Sequence, residues 1–246
     1  MMHNKIIKPD WNVLDSVKIV VTTKNFFLKK DFNIGYTNNS FEDTKFNRDM
    51  LINNIFPDKP FYIKQVHGKK IINLNDDDVS TFVADGLITC KKNQVLSILT
   101  ADCMPIIISS TCGSIVCALH VGRKGAEYNI IDNAFKILNN YNYTYEAWIG
   151  PSISKDYYLV DEKIRSSFIA ANNNYESYFC AAENFLFSMD LFGIASFQLQ
   201  SNNVKNICSS GFCTARDAYI FYSHRTFSDF GRFGTFVWIE DKKKAV

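Results

Sequence analysis

The chain of 246 residues has seven cysteines but no Cys-x-x-Cys pair. The commonest structural zinc and dithiol motifs are therefore absent. An odd cysteine count without regular spacing also argues against a secreted disulfide framework, so a reducing, cytoplasmic setting is expected. No run approaches the ~18 apolar residues of a membrane span, and the opening MMHNKIIKPDW lacks the apolar centre of a signal peptide. No membrane association is expected. Charge of one sign is lacking too: 27 Lys and Arg face 25 Asp and Glu, a net charge of +2. No nucleic acid partner is implied. No linker, composition shift or internal repeat divides the chain, so residues 1–246 read as one domain. Nothing in the sequence speaks to oligomeric state. Histidine is scarce, at His3, His67, His120 and His224.

What is present is concentrated in 99–125, LTADCMPIIISSTCGSIVCALHVGRKG. Two apolar runs, 104–108 and 114–119, read as buried strands separated by a Ser/Thr/Gly turn. Paired as a hairpin, they bring Cys103 and His120 to one sheet edge. A thiol and an imidazole there suit two ligands of a soft-to-borderline metal, or a nucleophile and its base. The plain alternative is a core cysteine. Asp102 beside it is a residue type seldom buried alone, and the glycine-rich basic segment after His120 suits an anion or polar ligand.

Along the rest of the chain, strands are expected over 17–23, 61–66, 69–74, 87–89, 95–99, 204–208 and 236–239, with another running through Trp148-Ile149 into Gly150-Pro151. Helices are expected over 47–55, 126–140 and 162–171, and from an Asp190 cap through Gln200. The 126–140 helix carries an apolar face of Ile130, Ile131, Ala134, Phe135 and Leu138. Asp76, Asp77 and Asp78 lack the later residues of a calcium loop and read as a solvated turn. The terminal Lys242, Lys243 and Lys244 read as a solvated tail. The fold class is α/β or α+β, one layered domain with a mixed sheet.

His67 and His120 both end expected strands, and with Cys103 they form a His-Cys-His set. Catalytic zinc takes three protein ligands and keeps a fourth position open. Gln65-Val66-His67-Gly68, Thr100-Ala101-Asp102-Cys103-Met104-Pro105 and His120-Val121-Gly122-Arg123-Lys124-Gly125 resemble the three signature motifs of the YfiH-like family. Weaker matches follow in the family's order: 21–24, Asn33-Ile34-Gly35, Asn47-Arg48, Ala84-Asp85-Gly86, 148–151, Cys213-Thr214 and 221–225. Members of that family are described as multicopper polyphenol oxidoreductases or laccases, as purine nucleoside phosphorylases and, in some bacteria, as peptidoglycan-editing factors.

The resemblance implies a layered α/β fold akin to the cysteine-dependent deamidases. It implies one zinc per chain on His67, Cys103 and His120, and a pocket for inosine or adenosine contacted by Arg48. The implied chemistry is phosphorolysis of adenosine, inosine, guanosine and methylthioadenosine, together with adenosine deamination. Purine nucleosides and phosphate are then the partners. Arg48, Arg123 and Lys124 are cations suited to phosphate. Asp85 and Asp102 are carboxylates suited to moving a proton, and Arg225 completes the substrate-binding set. The usual zinc-deaminase signature is absent, so deamination has no identified proton carrier.

Two further chemistries stand beside this one: a cysteine hydrolase or amidase with Cys103 as nucleophile and His120 as base, and a non-catalytic nucleoside-binding protein. Copper is not expected. A laccase builds its copper sites mainly from imidazole, for which four histidines are too few, and Met104 points away from Cys103 along a strand. The chain departs from the family at HVGRKG, where the family's tryptophan is Arg123 and an arginine is Lys124. Its TTR arginine is Lys24, its SYRR segment is 223–226, and the glutamate of its YEV triplet is Leu159. A helix N-terminus near Gly125 favours anions, so Arg123 is expected to face the metal.

Overall fold

In a computed structural model, residues 11, 14–26, 31–36, 41–76, 81–227 and 230–241 are described. His3, Asp77, Asp78 and Lys242, Lys243 and Lys244 lie outside them. Every residue of β5 (Met104–Ser110) and β6 (Val116–Val121) is buried. Strands covered on both faces read as continuous apolar runs rather than alternating ones. The two pair antiparallel as expected, with Pro105 opposite His120. They form the middle of a six-stranded mixed sheet. Its order is β11 (Asn206–Ser209), β7 (Tyr145–Ile149), β5, β6, β3 (Gly86–Thr89), β2 (Ile71–Asn73), with β11/β7 and β3/β2 parallel.

The two-residue period of the strands decides what covers each face. Met104, Ile106, Ile108, Cys117, Leu119 and Val121 pack with Ile130, Ala134 and Phe135 of α3 (Ile130–Leu138) and with Ile194 and Ala195 of α5 (Leu191–Ser201). Ile107, Val116, Ala118 and Leu87 face a second sheet of β1 (Val17–Val21), β12 (Phe233–Ile239) and β4 (Leu96–Thr100). The far side of that sheet, through Val20, Phe236 and Trp238, meets Leu51 of α1 (Phe41–Asn54). The layers thus run helices, sheet, sheet, helix. A small third sheet joins β8 (Leu159–Val160), β10 (Phe187–Met189) and β9 (Phe179–Ala181); it contains no expected strand. Helix α4 (Glu162–Ala171) matches its expected span and is capped by Asp161. No helix of the described residues is long and apolar enough to cross a membrane.

Three expectations fail for identifiable reasons. The helix expected over 126–140 is two: α2 (Arg123–Glu127) and α3. Asn129 separates them in the left-handed conformation at φ 52°, its side chain accepting from the Asp132 N–H. Asn tolerates this conformation better than most residues. The strand expected over 61–66 makes only isolated bridges, Phe61 to Leu96 and Lys64 to Val83. The Gln65 amide there pairs with the Leu99 backbone instead, at 2.7 and 2.8 Å. Helix α1 begins at Phe41, six residues before the expected start. Its first turn carries Glu42 and Asp43, which favour a helix N-terminus.

Candidate metal centre and its cavity

Cys103 ends the turn from β4 into β5, and on that turn Asp102 has φ 87°. Across the hairpin from this turn is Gly122. A Cβ built on Gly122 would stand 2.8 Å from the Cys103 Sγ and 3.0 Å from the His67 Cδ2. The absence of a side chain lets the sulfur and the ring come together here. His120, buried at the end of β6, and His67, exposed on its own turn at φ 59°, close the group. The ligand-capable atoms of His67, Cys103 and His120 all lie within 4.8 Å of one another. Residues held at such backbone angles cluster at functional sites.

Asp85 sits behind the two histidines with no solvent exposure. Its Oδ1 is 2.8 Å from the His120 Nδ1 and accepts from the His67 N–H at 2.9 Å. Its Oδ2 accepts from the Gly68 N–H at 2.7 Å, and both oxygens are near the Val66 N–H at 3.1 and 3.2 Å. Burial opposes the charge of Asp85, but the bonds from His120, Gly68 and Val66 outweigh it and hold the carboxyl below its ordinary range. Burial likewise pushes the Cys103 thiol up, yet His120 and His67 bring it down to about 6. Burial pushes His120 down, while Cys103 and Asp85 raise it to about 9. The sulfur is thus a ready thiolate, the form that binds metals. One thiolate and two imidazoles match the donor chemistry of a catalytic zinc, with a fourth position for water or substrate.

These three residues form part of the wall of a cavity of ~560 Å3, shared with Tyr36, Arg48, Tyr62, Gln65, Leu99 and Arg232. Arg48 reaches in from α1. Its guanidinium lies 4.2 Å from the Tyr36 ring centre and 3.8 Å from that of Tyr62, and its Nε donates to the Ile34 carbonyl at 2.9 Å. With two rings against the guanidinium and Nε used, the terminal nitrogens are the donors left to meet an anion. Burial lowers the Arg48 pKa.

The other expected substrate residues stand outside that wall. The carboxylate of Asp85 is committed to backbone and histidine donors. Asp102 accepts from the Thr214 hydroxyl and the Arg225 N–H, both at 2.7 Å. It ties segment 213–226 to the turn that carries Cys103. Arg225 itself is exposed, donates to the Leu159 carbonyl at 3.2 Å and covers the Tyr158 ring. Arg123 pairs with Glu127 at 3.6 Å, one helical turn on, and Lys124 is exposed. The helix behind Arg123, α2, has five residues, so its terminus adds little to the pull on an anion there. Residue-by-residue reading missed Tyr36 and Tyr62, which carry no motif chemistry of their own. Gln65 was legible only as part of the motif around His67.

The chain is similar over 97% of its length to a purine nucleoside phosphorylase of Pseudomonas aeruginosa, at 28% identity and with all of that protein covered. It is 33% identical to a purine nucleoside phosphorylase of Rickettsia conorii, over 69% of this chain and 72% of the other. The solved structure of the Neisseria meningitidis protein NMB0706 superposes with a TM-score of 0.85 at 23% identity, covering 95% of this chain and 98% of that one. The YfiH protein of Bacillus licheniformis superposes with a TM-score of 0.84, also at 23% identity, covering 94% of each chain. At that identity the likeness shows a shared fold. The model of the multi-copper polyphenol oxidoreductase laccase family matches residues 20–240, and the chain belongs to this family, the YfiH-like proteins.

Proposed function

We propose that the protein is a zinc-dependent purine nucleoside phosphorylase acting on adenosine, inosine, guanosine and methylthioadenosine, with adenosine deamination as a second activity. The observation that carries this reading is one cavity that joins the His67, Cys103 and His120 donor set to the guanidinium of Arg48. The relatives named purine nucleoside phosphorylases support it. Zinc, when bound, supplies a Lewis acid beside the reacting atoms. Arg48 binds the phosphate through its terminal nitrogens. A phosphate oxygen forms the bond to the ribose anomeric carbon as the glycosidic bond to the purine breaks, and the purine leaves with the bonding pair and takes up the proton that the hydrogen phosphate gives up. Tyr36 and Tyr62 hold Arg48 in place through the cation–ring contacts that both make with its guanidinium. On this reading the partners are purine nucleosides and phosphate, and the setting is the cytoplasm.

The family's copper name does not fit the residues. Among the described residues one group of three candidate ligands is found, and the chain has four histidines in all. The test is a nucleoside panel given to pure, metal-assayed protein with and without phosphate. Ribose 1-phosphate and free purine, formed only with phosphate and zinc, support the reading; purine release without phosphate, or no purine release, overturns it, while inosine formed from adenosine without phosphate reports the second activity.

One observation favours a second reading. Asp85, His120 and Cys103 stand in the order of an acid, base and thiol relay, with Asp85 2.8 Å from His120 and the thiol lowered by His120. Without metal this is the machinery of a cysteine hydrolase or amidase, as in peptidoglycan precursor editing. Amidase turnover by metal-free protein, lost on adding zinc, would select it over phosphorolysis.

A further inference from the structure

We propose that Asp85 is a positioning residue that sets both histidine donors of the metal site at once. The proposal rests on His67, Cys103 and His120 being the ligands, and is independent of the reaction they serve. A carboxylate at hydrogen-bond distance from an imidazole accepts its proton side, so the 2.8 Å contact places an N–H on the His120 Nδ1. Nε2 is then the nitrogen left with a lone pair for a metal. Outer carboxylates of this kind fix the tautomer and ring orientation of a ligating histidine.

The second effect is on the backbone. Val66, His67 and Gly68 point three successive N–H groups at the same carboxylate. Such a run of N–H groups forms an anion-binding concavity. It holds His67 at φ 59°, an angle a non-glycine residue adopts only where its surroundings insist. Gly68 fits beside this carboxylate, since even a Cβ there would lie 3.4 Å from Oδ2. The chain delivers Asp85 to this point because it directly precedes β3, whose first residue, Gly86, pairs with Leu119 next to His120. The His120 N–H also donates to the Asp85 carbonyl at 2.7 Å.

Asparagine tests the arrangement at nearly constant volume. An amide has one acceptor oxygen, so its NH2 must face either Nδ1 or the converging backbone N–H groups. Asp85→Asn should weaken zinc binding by about 10- to 100-fold, measured by competition with a chromophoric chelator. Imidazole 15N spectra of the zinc-loaded wild type should show His120 protonated on Nδ1, and Asp85→Asn should lose that signature. Asp102→Asn, which alters the Thr214 and Arg225 contacts, should keep it. Zinc affinity of Asp85→Asn within about threefold of wild type overturns the positioning role, as does wild-type His120 protonated on Nε2. If Asp85→Asn does not fold, the wild-type spectrum still decides, together with hydrogen exchange. The Val66, His67 and Gly68 amides should be protected, and exchange at the rate of an open turn counts against the proposal. A folded wild type that binds no zinc overturns the ligand assignment itself, which separates that failure from the others.

Discussion

At one end of the cavity, His120 closes a strand buried at every position, and Asp85 behind it has no solvent exposure. At the other end, Arg48 projects from a helix buried only at Thr44, Asn47 and Leu51, against a Tyr36 ring that is 51% exposed. The donor end is built by sheet register and a saturated carboxylate, and small displacements there are felt directly. The Arg48 end is built by stacked side chains on a helix and a loop, away from the sheet register. On the proposed function, the contrast predicts that changes at the first end alter metal retention and changes at the second alter substrate range.

The largest effect should come from removing the thiolate. Cys103→Ala should bind zinc at least ~100-fold more weakly, while the core, which does not pass through this side chain, stays folded. Elemental analysis of protein purified without added metal, beside a thermal melt, checks both parts. Stoichiometric copper in the wild type, or no metal in a folded sample, would break the assignment of the donor end.

Acidity should act on the same end with a definite sign. In the metal-free protein His120 is raised to about 9 and Cys103 is lowered to about 6. Above pH 6 the sulfur is already deprotonated, but below pH 9 His120 carries a proton that a metal must displace. Zinc affinity should therefore climb ~10-fold per pH unit between these values, level off above pH 9, and fall more steeply below pH 6 as Cys103 also protonates. Calorimetry in buffers of different ionisation enthalpy counts the protons released. A flat affinity across that window would show that His120 is not charged before metal binds.

Gly122→Ala sharpens the same comparison by sterics alone. The added methyl would meet the Cys103 Sγ at 2.8 Å and the His67 Cδ2 at 3.0 Å. It should lower zinc affinity ~10-fold and cost ~1–3 kcal/mol in stability, as overpacking does. At the opposite end, Arg48→Ala should leave zinc content unchanged and lower kcat/KM for phosphate ~10–100-fold. Arg48→Lys should not rescue it, because a lysine lacks the flat guanidinium that Tyr36 and Tyr62 contact. Loss of metal from Arg48→Ala would erase the distinction between the two ends.

The donor end was legible in the sequence because its residues are tied to strand ends, and strands buried on both faces leave long apolar runs such as 104–108. The Arg48 end was legible only through the Asn47-Arg48 match, since α1 has no apolar stripe to mark its start. Tyr62 lay in a presumed strand that the chain does not form. The break at Asn129 was hidden because the apolar spacing from Ile130 to Leu138 belongs to α3 whether or not a separate turn precedes it. From the sequence, Asp85 and Asp102 read as carboxylates near the motifs, suited to moving a proton. Which backbone N–H groups converge on a carboxylate depends on how distant segments meet: 66–68 for Asp85, Thr214 and Arg225 for Asp102. Residue type alone carries no trace of that.

The smallest effect is expected at Arg123, where the family's tryptophan is replaced. Charge alone suggests that this guanidinium tightens anion binding beside the metal. Its pairing with Glu127 at 3.6 Å, with 30% and 20% of the two side chains exposed, compensates that charge locally. Pairs of this kind contribute ~0.2–1 kcal/mol. The residue also stands off the cavity wall that Arg48 helps to form, and α2 is too short for its terminus to draw an anion there. Arg123→Trp should therefore leave zinc content and inhibition by sulfate within about twofold of wild type, and move the melting temperature by only a few degrees. Sulfate inhibition measured against phosphate in both proteins checks this. A marked loss of sulfate sensitivity in Arg123→Trp would bring Arg123 to the anion, and the cavity would then need a second cationic end beside the metal rather than one at Arg48.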